Sequence, residues 1–240
     1  MYQTLLKPLI ADVKTFGLDI LFPVYCLACE KHGPDFLCAE CGKKLSKVHQ
    51  ICIACQKPSP NGLTHPGCLM PQTADGLFSV FDYHDERVSR LVIAGKYYFV
   101  KDIYTSFGRL LAESLAEKYR ELLKDNFLLT PIPLYWARQN WRGFNQAAVL
   151  CQSLAKALKL QESYVLKRSK PTKTQKDLKK PQRKHNVENV FGLAKGANVK
   201  NQNFFLVDDV TTTGSTLAEA AKVLKRNGAS KVWCLTIAKD

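Results

Sequence analysis

Residues 204–216 have the sequence Phe204-Phe205-Leu206-Val207-Asp208-Asp209-Val210-Thr211-Thr212-Thr213-Gly214-Ser215-Thr216. The four apolar residues have the length of a buried parallel strand, and a helix rich in Ala, Leu and Lys follows the small polar residues. The stretch therefore predicts a strand, a loop and a helix N-terminus. In an open parallel sheet such a loop lies at the carboxyl edge, where ligands bind. The expected fold class is α/β, with a mostly parallel sheet flanked by helices.

The loop that follows the two aspartates has the features of a phosphate site. Free amides and the helix dipole favour an anion at a helix start, and Gly214 allows the backbone to turn its amides inward. The Thr and Ser hydroxyls around it add further donors. Asp208 and Asp209 can accept hydrogen bonds from the vicinal hydroxyls of a sugar. Together these features indicate a site for a ribose 5-phosphate; the alternative is a strand that ends in an ordinary acidic turn.

Length and composition limit the possible classes. The 240 residues suffice for one domain and a small second one. The net charge of +14 indicates an acidic partner, which is nucleic acid, a membrane surface or a polyphosphate substrate. Charged residues interrupt the first twenty positions, so we expect an amphipathic helix over residues 1–23 rather than a signal peptide or a membrane span. Nine cysteines without an export signal favour a reducing compartment, the cytoplasm.

Eight residues have the spacing of two zinc sites. The first set is Cys26, Cys29, Cys38 and Cys41, and the second is Cys52, Cys55, His65 and Cys68. Each set can complete a tetrahedron, which predicts one or two structural zinc ions in a double zinc ribbon over residues 24–71. Four protein ligands leave no open position for catalysis. His65 precedes a proline, so the alternative for the second set is a turn histidine that binds no metal.

The next part of the chain contains a second candidate anion site. Residues 77–83 alternate like a strand, and apolar stripes predict helices that end near residue 95 and over residues 103–123. Residues 126–130 are predicted to form the first central strand, since Pro131 would break a ladder. An irregular loop with Arg138, Arg142 and Gly143 then precedes a helix over residues 147–160. The two arginines are expected to bind a second phosphate-sized anion; the alternative is a basic surface turn.

Residues 167–186 form a basic block with ten basic side chains, if His185 is ionised, and one acid. Such a block repels itself and has few apolar anchors, so it is expected to be mobile. Three interpretations stay open for it. It is a lid over a polyanionic substrate, a track for a nucleic-acid backbone, or a solvated loop with neither role.

The cysteine pairs, the segment Arg142-Gly143-Phe144-Asn145-Gln146 and the motif from Asp208 to Thr216 occur in this order. With them the chain resembles the ComF/ComFC family of competence-associated phosphoribosyltransferase-like proteins. Two features depart from the family pattern: His65 replaces a Cys, and Tyr98-Phe99 stands where the family usually has a Gly. The resemblance implies a type I phosphoribosyltransferase fold over residues 75–240, with a site for phosphoribosyl pyrophosphate and magnesium. It also implies a cytoplasmic bacterial protein that acts on single-stranded DNA beside a competence helicase.

Asp208 and Asp209 are the candidate catalytic residues. The candidate substrate-binding residues are Lys96, Arg138, Arg142, Gly143, Val210, Thr211, Thr212, Thr213, Gly214, Ser215 and Thr216. One hypothesis is a phosphoribosyltransferase that works by positioning and electrostatics, since no residue stands out as a base. The second is a binding protein that keeps the site as a sensor and contacts DNA through the ribbon and the basic block. A purely structural zinc protein is the third, and the acceptor does not follow from the sequence.

Overall fold

The computed structural model of the protein describes residues 24–98, 100–170 and 189–240. The predicted N-terminal helix, Phe99 and most of the basic block lie outside these residues. The chain forms two compact units, residues 1–44 and 45–240. Its helices and strands are α1 Ala39–Lys44, β1 Gly76–Asp82, α2 Glu86–Tyr97, α3 Asp102–Lys118, β2 Phe127–Pro131, α4 Trp136–Arg142, α5 Gln146–Leu158, β3 Leu166–Arg168, β4 Phe191–Leu193, β5 Asn203–Thr211, α6 Ser215–Arg226 and β6 Val232–Lys239.

A parallel sheet in the order β1-β6-β5-β2 is the centre of the second unit. β5 pairs with β6 from Phe204 opposite Val232 to Thr211 opposite Lys239, and it pairs with β2 on its other side. The apolar part of β5 is fully buried, as expected for a strand that is covered on both faces. The α/β class is therefore confirmed. The prediction of a central position for β2 was wrong, because β2 is an edge strand of the described sheet.

β5 continues beyond its apolar residues and includes both aspartates. Successive side chains of a strand point to opposite faces of the sheet. Leu206 shares a hydrophobic core with Leu217 of α6, while Phe205 stacks on Phe127 of β2 with the ring centroids 4.0 Å apart. The same alternation sends the side chains of Asp208 and Asp209 to different faces.

The helices differ from prediction mainly in their bounds. α2 ends at Tyr97, two residues beyond the predicted end, and α3 ends at Lys118, five residues before it. The predicted irregular loop around the two arginines is the short helix α4, which ends at Gly143. Arg138 and Arg142 therefore lie one helical turn apart. α5 follows directly, and the Asn145 side chain caps it by accepting from the amide of Ala147.

The two cysteine sets fall in different compact units. The first set lies in residues 1–44, and α1 contains its last ligand, Cys41. Residues 45–71, with the second set, are grouped with the sheet, whereas the sequence analysis places them with the first set. Among the described residues, no helix is both long and apolar enough to cross a membrane.

Candidate functional site

The predicted phosphate loop lies at the carboxyl end of β5. The strand ends at Thr211 and α6 begins at Ser215, so only three residues connect them. Gly214 has φ 73°, a left-handed conformation that favours glycine. The hydroxyls of Thr213 and Ser215 lie 2.7 Å apart. A concave space of about 210 Å³ lies around this loop, and its lining is Asp208, Val210, Thr211, Thr212, Thr213, Gly214, Ser215, Thr216 and Leu217.

The two adjacent aspartates have different surroundings. Asp209 is only 4% exposed, and its Oδ2 lies 2.8 Å from Nζ of Lys96, the last basic residue of α2. The Tyr104 hydroxyl donates to the same oxygen at 3.3 Å. Burial, followed by the charge of Asp209, raises the pKa of Tyr104 well above its ordinary value, so Tyr104 stays a donor. The Asp209 carboxylate thus contacts Lys96 of α2 and Tyr104 of α3, and it holds the Lys96 side chain on that face of the sheet.

Asp208 is half-buried and faces the loop side of the sheet. Burial and the neighbouring charge of Asp209 raise the pKa of its carboxyl to about 7, although Lys96 opposes this effect. Its Oδ1 accepts a hydrogen bond from the amide of Asp209 at 2.9 Å. Of the two carboxylates, Asp208 is the one that lines the cavity with the loop hydroxyls. It is also close to its point of ionisation near neutral pH.

Three guanidinium groups influence one another beside this site. Burial, followed by the charge of Arg142, lowers the pKa of Arg138. Arg168 of β3 has its pKa lowered to about 10 by burial, followed by the charge of Arg138, while Asp208 opposes the shift. Nη1 of Arg142 donates to Oε1 of Gln146 at 2.6 Å, but its buried Nε has no hydrogen-bond partner among the described residues. A buried donor without a partner indicates a missing acceptor, and neighbouring like charges favour an anion.

Two of these residues were not predicted from the sequence. Tyr104 belongs to the apolar stripe of α3, where its hydroxyl is the one feature that distinguishes it from core aromatics. Arg168 was counted only as a member of the basic block, although Phe191 packs under its guanidinium at 5.4 Å. Gly143 has φ 75° and ends α4, and its amide donates to the carbonyl of Gln139 at 2.8 Å. Its predicted contact with substrate stays a prediction.

Both sets of predicted zinc ligands come together. In each set the candidate donor atoms lie within 4.8 Å of one another. Sγ of Cys29 and Sγ of Cys38 are 3.9 Å apart, and Sγ of Cys55 is 3.3 Å from Nδ1 of His65. These separations fit tetrahedral zinc with four thiolate or imidazole donors. His65 also directs Nε2 at the carbonyl of Pro58, 3.2 Å away, which is the outer contact that orients a metal-bound imidazole.

Backbone hydrogen bonds favour the thiolate form of Cys26. Burial raises the pKa of the Cys26 thiol, but hydrogen bonds from the amides of Cys38, Ala28 and Cys29 outweigh burial and lower the pKa to about 6. Zinc binds the thiolate form, so a lowered pKa assists binding at neutral pH. The donor sets therefore fit structural zinc, as predicted.

A larger groove of about 740 Å³ lies elsewhere, beside β2 and the segment that follows β4. Its ionisable side chains include Glu162 and Lys195, which carry opposite charges. It lacks the helix N-terminus of the loop, so the loop stays the candidate anion site.

Comparisons with known proteins match two families over different parts of the chain. The model of the phosphoribosyl transferase domain family matches residues 145–240, and that of the double zinc ribbon domain family matches residues 17–69. DNA utilization protein YhgH of Escherichia coli (strain K12) is 36% identical over 207 residues, which are 83% of each chain. Competence protein F of Haemophilus influenzae is 32% identical over 211 residues, 86% of each chain. Competence protein ComFC of Bacillus subtilis is 29% identical over 221 residues, covering 85% of this chain and 84% of that one.

Solved structures give weaker likenesses. The allosteric regulatory enzyme of purine biosynthesis is 16% identical with a TM-score of 0.38, covering 56% of this chain and 26% of that chain. A hypoxanthine phosphoribosyltransferase from Staphylococcus aureus is 14% identical with a TM-score of 0.35, covering 57% and 65% of the two chains.

Proposed function

The chain belongs to the ComF/ComFC family, which combines a phosphoribosyltransferase domain with a double zinc ribbon, and we propose that it binds phosphoribosyl pyrophosphate with Mg²⁺ and transfers the phosphoribosyl group to an acceptor. The observation that carries this proposal is the arginine cluster beside the phosphate loop. Burial and the neighbouring charge of Arg142 lower the pKa of Arg138, and the buried Nε of Arg142 has no partner among the described residues. A pyrophosphate would supply both the negative charge and the missing acceptor.

The remaining groups match the other parts of such a ligand. The hydroxyls and amides of residues 212–216 would hold the 5-phosphate at the start of α6. Asp208, which lines the same cavity, would accept hydrogen bonds from the ribose hydroxyls. Asp209 would hold Lys96 and Tyr104 in place rather than contact the sugar, because its carboxylate already has both as partners.

In the reaction that we propose, the bond between C1 of the ribose and the pyrophosphate oxygen breaks, and the electron pair leaves with pyrophosphate. The acceptor forms the new bond to C1 and loses a proton to solvent or to a group of its own. Bound Mg²⁺ would neutralise the charge on the leaving pyrophosphate, with Asp208 as its protein ligand. Arg138 and Arg142 would stabilise the same charge, so catalysis rests on positioning and electrostatics.

The test is calorimetric titration of wild type and variants with two ligands, phosphoribosyl pyrophosphate with Mg²⁺ and ribose 5-phosphate. Arg142→Gln should weaken phosphoribosyl pyrophosphate binding by about tenfold or more, since a charge-assisted hydrogen bond to an anion is lost, and should leave ribose 5-phosphate unaffected. The exposed Arg120 provides a matched control, because Arg120→Gln removes the same charge. Pyrophosphate release is then assayed with ammonia, nucleobases and single-stranded DNA as acceptors. If phosphoribosyl pyrophosphate does not bind to wild type, the proposal is wrong.

A second candidate function, the handling of single-stranded DNA, is favoured by the aromatic surface of α4. Trp136 and Trp141 are 64% and 60% exposed, and Tyr97 at the end of α2 lies edge-on to Trp141 with the ring centroids 6.5 Å apart. Bases of single strands stack on exposed aromatic rings beside basic side chains, here Arg138 and Arg142. The aromatic surface of α4 would be a third candidate DNA contact, beside the zinc ribbon and the basic block.

Tryptophan fluorescence tests this candidate, because the third tryptophan, Trp233, is buried. An oligo-dT should quench the emission of the wild type, and Trp141→Ala should weaken binding by about fivefold or more, as expected for one lost stacking contact. Tyr164→Ala removes another exposed ring at a different place and serves as the control. Equal affinities of both variants and wild type would rule out α4 as a stacking surface.

The names of the relatives suggest the biological setting. We propose that the protein acts in the cytoplasm on incoming single-stranded DNA during natural transformation, beside a competence helicase. The positive net charge supports binding to nucleic acid.

A further inference from the structure

The second set of predicted zinc ligands, which contains His65, lies directly behind the phosphate loop. The turn between its first two ligands contains Ile53, and the residue after them is Gln56. Gly214 of the loop faces both: a Cβ built on Gly214 would be 3.2 Å from Cγ1 of Ile53, 3.5 Å from Nε2 of Gln56 and 3.7 Å from the carbonyl oxygen of Ile53. The turn Cys52–Gln56, called the knuckle below, therefore lies so close to the loop that a side chain at Gly214 would meet it.

The knuckle is itself held in a defined conformation. The amide of Gln56 donates to the carbonyl of Cys52 at 2.9 Å, and the Gln56 side chain donates to the carbonyl of Ile53 at 2.8 Å. Gln56 has φ 62°, a conformation that a non-glycine residue rarely adopts without local constraint. Four ligands on one zinc ion would supply that constraint, because they connect the turn to His65 and Cys68.

The same knuckle is part of the core beneath α6. Ile51 and Ile53 are buried in one hydrophobic cluster with Leu217 and Ala220, which lie in the first two turns of α6. The start of α6 thus shares a hydrophobic core with the knuckle, and the loop before α6 passes close to the knuckle at Gly214. A change in the conformation of the knuckle would reach the loop by both routes.

We propose that the second metal site positions the phosphate loop, so that zinc at Cys52, Cys55, His65 and Cys68 is needed for an ordered loop and for tight binding of a sugar phosphate. The ordering of the loop is a property of the free protein, whereas the effect on affinity rests on the proposed function. The first metal site, in the other compact unit, offers a comparison with a site of four thiols in place of three thiols and an imidazole.

The experiment compares Cys68→Ser with Cys41→Ser, each of which removes one ligand from one set. Zinc content is measured for both, and hydrogen exchange of the amides of residues 211–218 is followed without ligand. We expect Cys68→Ser to speed this exchange about tenfold or more, and to weaken the binding of ribose 5-phosphate by about as much. Cys41→Ser should lose as much zinc and leave both quantities within about twofold of wild type. Equal exchange of the loop in both variants would overturn the proposal.

A second pair of variants keeps the metal ligands, in case Cys68→Ser does not fold. Ile53→Ala and Ile51→Ala remove the same atoms from the same core, but Ile53 supplies the atoms nearest to Gly214. Both should retain zinc, and only Ile53→Ala should speed exchange at residues 213–215, by about threefold or more. Equal rates for the two would also overturn the proposal. If the exchange results are as expected but wild type does not bind ribose 5-phosphate, the positioning role stands and the proposed function fails.

Discussion

Replacing each of the two adjacent aspartates with asparagine should change stability in opposite directions. Asp208→Asn removes a carboxylate whose pKa burial and Asp209 raise from 3.8 to about 7. The neutral form is therefore favoured in the folded protein. The protonated Asp208 carboxyl therefore contributes stability below a pH of about 3.8, and this contribution is lost as the pH rises towards about 7. At pH 8 the ionised carboxylate opposes folding, and its removal should stabilise the protein.

The magnitude follows from the difference between the two pKa values. Three pH units correspond to roughly 4 kcal/mol for a group that is wholly shielded from water. Asp208 is half-buried beside an open cavity, so solvent screening reduces this to about 1–2 kcal/mol, or about 2–8 °C in Tm for a chain of this size. Asp209→Asn instead leaves Lys96, which is 23% exposed, without its charged partner. We expect it to lower the free energy of unfolding by about 1–3 kcal/mol.

Thermal unfolding of the free protein at pH 8 and pH 4.5 measures both effects. The rise in Tm for Asp208→Asn should shrink markedly at the lower pH, where the wild-type carboxyl is mostly protonated. Asp125→Asn is the control, because Asp125 forms an exposed ion pair with Lys231 at 2.6 Å and should change stability by no more than about 0.5–1 kcal/mol. Changes of the same sign for Asp208→Asn and Asp209→Asn at pH 8 would refute the assignment of different roles to the two residues.

Three further predictions concern the same site. Gly95→Ala should destabilise the protein by about 1–3 kcal/mol in chemical denaturation, because its Cβ would lie 2.6 Å from the ring of Tyr104. Gly214→Ala should cost about 1–2 kcal/mol, since it combines φ 73° with a contact of 3.2 Å to Ile53, and calorimetry should show weaker binding of ribose 5-phosphate. Binding of phosphoribosyl pyrophosphate with Mg²⁺ should strengthen as the pH rises from 6 to 8, because Mg²⁺ binds the ionised form of Asp208, and Asp208→Asn should abolish this dependence.

Local patterns predicted the parts of the molecule that depend on neighbouring residues in the sequence. The strand, glycine loop and helix from Phe204 onwards follow from a short apolar run and a single turn. Both cysteine sets follow from the spacing within each knuckle, since two residues between thiols suffice to direct both at one ion. The family was also recognised from these motifs.

The length of β5 could not be predicted, because its end is set by another strand. β6 pairs with β5 as far as Lys239 opposite Thr211, which keeps the aspartates in the strand and separates their side chains. Helix α4 has seven residues, and helices of that length depend on tertiary contacts more than on propensity. The sequence did not separate Arg168 from the other basic residues of the block. Its place beside the site depends on the pairing of β3 with β4, which brings residues far apart in the sequence together.

The charges of the site point to a ligand that carries both signs. Burial and then the charge of Asp209 raise the pKa of Asp208, while burial and then the charge of Arg142 lower the pKa of Arg138, so a like charge adds to the cost of burial at both residues. A bound cation alone would offset only the repulsion between the two aspartates, and a bound anion alone would offset only the repulsion between the arginines. Together they should bind cooperatively, with Mg²⁺ strengthening the binding of pyrophosphate by about 1–3 kcal/mol beyond their separate affinities. Titration of pyrophosphate with and without Mg²⁺ measures this coupling. In Arg142→Gln the coupling should fall together with the affinity for pyrophosphate, whereas in Asp208→Asn it should disappear while pyrophosphate alone still binds.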